Sequence, residues 1–150
     1  MITYQTPCYK FRIIKEPNMK AARCKIQSSS CISEYMKAYH YADDISVYES
    51  FWIILLNNAN NTMGSHLISS GSITGCLVDI RLIAKYALEV LATSIILVHN
   101  HPSGNLHPSE ADKQITKKIM TGLENLDIKV LDHIIVTDES YFSFADEGLL

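Results

Sequence analysis

The apolar positions of this chain alternate between continuous or period-two runs and runs at helical spacing, with no repeat, low-complexity tract or Pro-rich linker between them. This predicts an α/β fold. Tyr9–Glu16 (YKFRIIKE) reads as a first strand, and Ser28, Ser29 and Ser30 offer N-caps for a helix carrying Ile32, Tyr35, Met36 and Tyr39, which Asp43 and Asp44 break. Ser50–Leu56 (SFWIILL) is too continuously apolar for a half-exposed strand and predicts a central one covered on both faces. Asn57–Gly64 is turn material, and His66–Gly71 returns as the second arm of a hairpin. Asp79 caps a predicted helix over Ile80–Ala92 with Ile83, Ala84, Ala87, Leu88 and Leu91 on its apolar face. Ser94–Val98 (SIILV) is a second buried strand that stops at the polar loop beginning His99-Asn100-His101. Ser109 opens a helix that sends Ile115, Ile119 and Leu126 to the core, followed by a strand at Lys129–Thr137 and a short hairpin at Tyr141–Phe144. The expected architecture is a central mixed sheet with helices on both faces.

With 150 residues, 47% hydrophobic and 19% charged, the chain predicts one domain over residues 1–150, its N-terminal strand and helix (about 9–45) included. Thirteen basic against sixteen acidic residues, a net charge of -3, is not the footprint of a non-specific nucleic-acid binder. Apolar runs such as Ile53–Leu56 and Ile95–Val98 fall far short of the roughly 20 residues that cross a bilayer. Met1–Lys10 lacks a signal-peptide core, so a cytoplasmic chain with no membrane partner is expected. Cys8, Cys24, Cys31 and Cys76 show no CxxC spacing and read as free thiols.

The chemistry concentrates in His99-Asn100-His101-Pro102-Ser103-Gly104-Asn105-Leu106-His107-Pro108-Ser109-Glu110-Ala111-Asp112. Two histidines at i and i+2 on a strand end project to one side and can converge on a divalent metal. Asp112, in the first turn of the next helix, can add an oxygen ligand, which leaves a fourth position open for water acidified by zinc to a pKa of about 7. Hydrolysis then needs a carboxylate to take the proton, and Glu49, just before the buried strand, is the candidate. Blander readings stand beside this one. Ser109 and Asp112 also form a helix-start pattern, and His99 or His101 alone could be a structural or loop residue. His107 is a weaker ligand candidate on a surface loop, His133 reads as a strand histidine bonded to its neighbours, and His40 and His66 stay outside the site.

The segment resembles the JAMM zinc metalloprotease motif, His-x-His, seven residues, Ser-x-x-Asp with a separate upstream Glu. HNHPSG, the stretch from SEAD to Thr116, and the tail LDHIIVTDESYFSFADEGLL resemble the RadC-like (JAB, MPN-plus) proteins of bacteria and their mobile elements. The resemblance covers about Ser46–Leu150. It implies a cytidine-deaminase-like three-layer α/β/α sandwich, one zinc ion per chain on His99, His101 and Asp112, Glu49 as catalytic acid/base, and Ser109 as a supporting hydrogen-bond donor. Longer members carry an N-terminal helix-hairpin-helix module that contacts DNA; the first 45 residues here show no such Gly-rich pattern.

The expectation is therefore a zinc-dependent hydrolase acting on a protein or peptide substrate, with Glu49 moving the proton and Ser109 bonding the oxyanion. Two alternatives come from other classes. One is a DNA repair or recombination accessory or metal-dependent nuclease, whose chemistry usually calls for two metals and several carboxylates. The other is a non-catalytic module stabilised by its metal, though structural zinc sites usually close all four positions with protein ligands. DNA binding is expected to be weak: Lys113, Lys117 and Lys118 read as a solvated face balanced by Glu110 and Glu124.

Overall fold

The computed structural model describes residues 24–41, 45–72 and 77–150. The strand expected at Tyr9–Glu16, the break at Asp43 and Asp44, and Cys8 and Cys76 lie outside the described residues. The elements follow in the order α1 (Ser29–Tyr39), β1 (Glu49–Leu56), β2 (Thr62–Ser72), α2 (Ile80–Glu89), β3 (Ser94–Asn100), α3 (Glu110–Glu124), β4 (Lys129–Val136) and β5 (Tyr141–Ser143). Ser28, Asp79 and Ser109 cap α1, α2 and α3 with their side-chain oxygens, as their positions in the sequence predict.

The strands form one mixed sheet in the order β2-β1-β3-β4-β5. β1 pairs antiparallel with β2 and β3, β4 antiparallel with β5, and β3 and β4 run parallel. A parallel pair cannot be closed by a tight turn, and α3 provides the crossover.

The alternation of side chains along the central strands divides the core into two layers. Ile54, Leu56, Ile96, Val98, Ile134 and Val136 pack against Ile32, Tyr35 and Met36 of α1. Phe51, Ile53, Leu55, Ile95 and Leu97 pack on the other face against Ile83 and Ala87 of α2 and Ile119 and Leu123 of α3. The protein is thus a three-layer α/β sandwich, and the continuous apolar runs of β1 and β3 are explained by helices on both sides of them.

Three expectations are corrected. β3 does not stop at Val98: His99 and Asn100 still pair with Ile135 and Val136 of β4 and are buried. α2 ends at Glu89 and not at Ala92, so Leu91 falls beyond it, in the left-handed region at φ 54° and 79% exposed; Leu88 is exposed as well, and Ala92 is buried in their place. Leu126 is likewise exposed, because α3 ends at Glu124 and Leu123 takes the core position.

Candidate metal centre

The site forms where β3 ends beside its parallel neighbour and α3 begins, the carboxyl end of the strands where open α/β sheets place their ligands. His99 shares the sheet face of Ile95 and Leu97, and therefore looks toward α3. His101 lies one residue past β3, held by its N–H donating to the Val136 carbonyl at 3.1 Å. Asp112 is drawn back over the loop by a capping box: its N–H donates to Ser109 Oγ at 3.1 Å, and the Ser109 N–H donates to Asp112 Oδ2 at 2.7 Å. The Ser109 hydroxyl donates to the same carboxylate oxygen at 2.6 Å. The capping and ligand readings of Ser109 and Asp112 are therefore compatible, since Asp112 Oδ1, which the cap does not use, faces His99.

His99 Nε2 and His101 Nε2 lie 2.9 Å apart, and the Asp112 oxygens stand 3.3 Å from the first and 3.6 Å from the second. One ligand atom from each of the three lies within 4.8 Å of the others. His101 Nδ1 donates to the Asn105 carbonyl at 2.5 Å, which leaves Nε2 as the free base of the neutral ring. Two imidazole nitrogens and one carboxylate oxygen make a donor set that could hold a divalent metal ion.

The electrostatics agree with that donor set. Burial pushes the Asp112 carboxyl up, but His101, His99 and Ser109 beside it outweigh burial and hold it far below the usual carboxylate range. Burial also pushes His101 down, and the adjoining Asp112 carboxylate, the Asn105 carbonyl and the charge of Glu49 together raise it. Glu49, at the start of β1, shares the sheet face of Phe51, which pairs with His99; this alternation puts the Glu49 carboxylate on the His101 side of the sheet.

His107 is exposed, its N–H donating to Asn105 Oδ1, and is not part of the three-residue group. His40 and His66 lie elsewhere, His40 against Ser65 Oγ and Trp52, and His66 on the Tyr86 ring. Cys24 and Cys31 are free thiols.

Two buried residues escaped the sequence reading of the site. Asn100 points to the sheet face opposite His99, accepting from the Ser50 N–H at 2.8 Å and Ser50 Oγ at 3.0 Å and donating to the carbonyls of Ile45 at 2.6 Å and Tyr48 at 2.8 Å. It thereby pins the segment leading into Glu49 to the strand that carries His99. Thr116 approaches His133 from α3. His133 is the strand histidine bonded to its neighbours that the sequence predicts, and those neighbours are Thr116 and His99. Burial pushes His133 well below the ordinary histidine value and keeps it neutral. Phe51 stacks on His99, and Phe144 on His133.

A sequence profile of the RadC-like JAB domain matches residues 26–149. The chain belongs to the RadC-like JAB domain family. A UPF0758 protein of Flavobacterium johnsoniae is 55% identical over 102 residues, 68% of this chain and 44% of that protein. A UPF0758 protein of Porphyromonas gingivalis is 43% identical over 103 residues, 68% of this chain and 45% of that one. The UPF0758 protein YfjY of Escherichia coli is 42% identical over 102 residues, 68% of this chain and 64% of its own length. The RadC-like JAB chain thus spans about half the length of the first two relatives. Among the described residues of this JAB domain, no helix is long and apolar enough to cross a membrane.

Proposed function

We propose that this JAB domain is a zinc-dependent hydrolase of peptide or isopeptide bonds, with His99, His101 and Asp112 holding the ion. The observation that carries the reading is the convergence of two histidine Nε2 atoms and a carboxylate within 4.8 Å, with Glu49 on the same side of the sheet but outside the ligand group. When bound there, zinc supplies Lewis acidity, polarising a carbonyl and acidifying water. Glu49 takes the water proton on its carboxylate and returns it to the nitrogen of the leaving amine. Asp112 holds its charge between the two imidazoles, and Phe51 keeps the His99 ring from turning. Ser109 orients Asp112 through its hydroxyl; to bond a developing oxyanion, as the motif implies, it exchanges that bond for the new one.

The test is zinc content measured on untagged protein together with cleavage of an isopeptide-linked peptide library. The expected result is one zinc per chain and cleavage that Glu49→Gln abolishes with the zinc retained. Loss of zinc in Glu49→Gln as complete as in His101→Ala would make Glu49 a ligand and overturn the assignment.

A further inference from the structure

Behind His99 lies a buried chain of hydrogen bonds in which every proton can be assigned. Thr116 Oγ1 is 2.6 Å from the carbonyl oxygen of Asp112, four residues earlier on α3, and 2.6 Å from His133 Nδ1. A carbonyl only accepts, so the single hydroxyl proton goes to Asp112, the usual back-bond of a helical threonine. Thr116 Oγ1 must then accept from His133, and the His133 proton sits on Nδ1. A neutral imidazole has only one N–H, so His133 Nε2 is an acceptor, 2.8 Å from His99 Nδ1. His99 accordingly carries its proton on Nδ1 and turns the lone pair of Nε2 outward. Asn105 does the same for His101 through a backbone carbonyl. Two lone pairs thus face each other at 2.9 Å beside a carboxylate, an arrangement that a shared cation relieves.

We propose that Thr116 and His133 are positioning residues: together they lock His99 in the Nδ1–H tautomer and so aim its Nε2 at a divalent cation. The inference rests on the metal reading above and adds to it the device that prepares one ligand before the ion arrives. Thr116 and His133 are both buried, so water does not offer their polar atoms an alternative partner. The lock also couples two ligands, because the hydroxyl that orders His133 is itself ordered by the backbone of Asp112.

Two measurements test it. Side-chain 15N spectra of the chain without metal report the tautomer directly, and His99 and His133 are both expected in the Nδ1–H form. Zinc titration against a competing chelator then compares Thr116→Val, which removes the hydroxyl at nearly constant shape, with Thr116→Ser, which keeps it. Removing a partner that orients a metal-binding histidine typically weakens affinity about 10–100-fold; Thr116→Val is expected to fall in that range and Thr116→Ser to stay close to the unsubstituted chain. Nε2–H on His99, or zinc bound by Thr116→Val as tightly as by Thr116→Ser, would overturn the lock while leaving the hydrolase reading standing. An unsubstituted chain that takes up no zinc would instead overturn the metal reading, and with it the purpose assigned to the lock.

Discussion

Asn100→Ala should be among the most damaging single substitutions in the protein, although Asn100 lies between two candidate ligands without pointing at either. The amide satisfies four partners on the segment leading into and starting β1. A buried polar group left without a partner costs roughly 1–3 kcal/mol. Three of the four belong to the buried Ser50 and Ile45; the Ser50 hydroxyl still accepts from Trp52 Nε1, so the Ser50 N–H and the Ile45 carbonyl are the two left without a partner, whereas Tyr48 is partly exposed and its carbonyl can regain water. The expected loss is therefore about 4 kcal/mol in the middle of that range. With a urea m-value of about 2 kcal/mol/M for a chain of this size, the unfolding midpoint should fall by roughly 2 M at unchanged m. Asn100→Asp keeps the acceptor for Ser50 but sets an oxygen against the carbonyls of Ile45 and Tyr48, so it should be no milder. In partly unfolded preparations the surviving folded fraction should still bind zinc while hydrolysis declines, because the amide anchors the Glu49 side of the site. A midpoint shift under about 0.5 M for Asn100→Ala would refute the argument, since it would mean that the orphaned groups find other partners.

Ser109→Ala removes both the cap of α3 and the hydroxyl that orients Asp112; thermal unfolding should show a loss of about 1 kcal/mol, and zinc titration a fall in affinity of about tenfold. His40 and His66 are held below the ordinary histidine value mainly by burial, so each favours the folded state fully above about pH 6.5 and loses that contribution as pH falls through its lowered folded value. Urea midpoints measured downward from pH 7 should decline, and His40→Gln should flatten part of the decline; an unchanged slope would contradict the assignment. Lys113 is paired with Glu110 at 2.7 Å, so binding of labelled duplex DNA should be weak and should vanish between about 50 and 200 mM salt. Tight, salt-sensitive binding that is lost on neutralising Lys113, Lys117 and Lys118 would favour a DNA-processing role.

What was legible in the sequence follows from how local each signal is. The uninterrupted apolar runs of β1 and β3 announced strands covered on both faces, and Ser28, Asp79 and Ser109 announced helix starts, because a cap is decided within four residues. His99, His101 and Asp112 were legible because one strand end and one helix start hold all three. Helix ends were less legible: nothing in the apolar spacing of Leu88 and Leu91 shows that α2 stops at Glu89, and the chain turns there through a left-handed Leu91. The roles of Asn100 and Thr116 were hidden for another reason. Each depends on a partner far along the chain, and the β3–β4 register that sets Leu97 opposite His133 is a property of the assembled sheet.

All seven residues of β3 are buried, and the strand has a hydrogen-bonded neighbour on either side. Its amides should be among the slowest in the protein to exchange with deuterium, opening only when the whole domain unfolds. His101 and the loop to Asp112 have no such protection and should open through small local fluctuations. The candidate site therefore straddles two kinetic regimes, with one histidine moving on the clock of global unfolding and its two companions on that of the exposed loop and helix start that carry them. An ion shared among them would fasten the faster part to the slower, and its signature would be newly slowed exchange across residues 101–112 with almost none in β3.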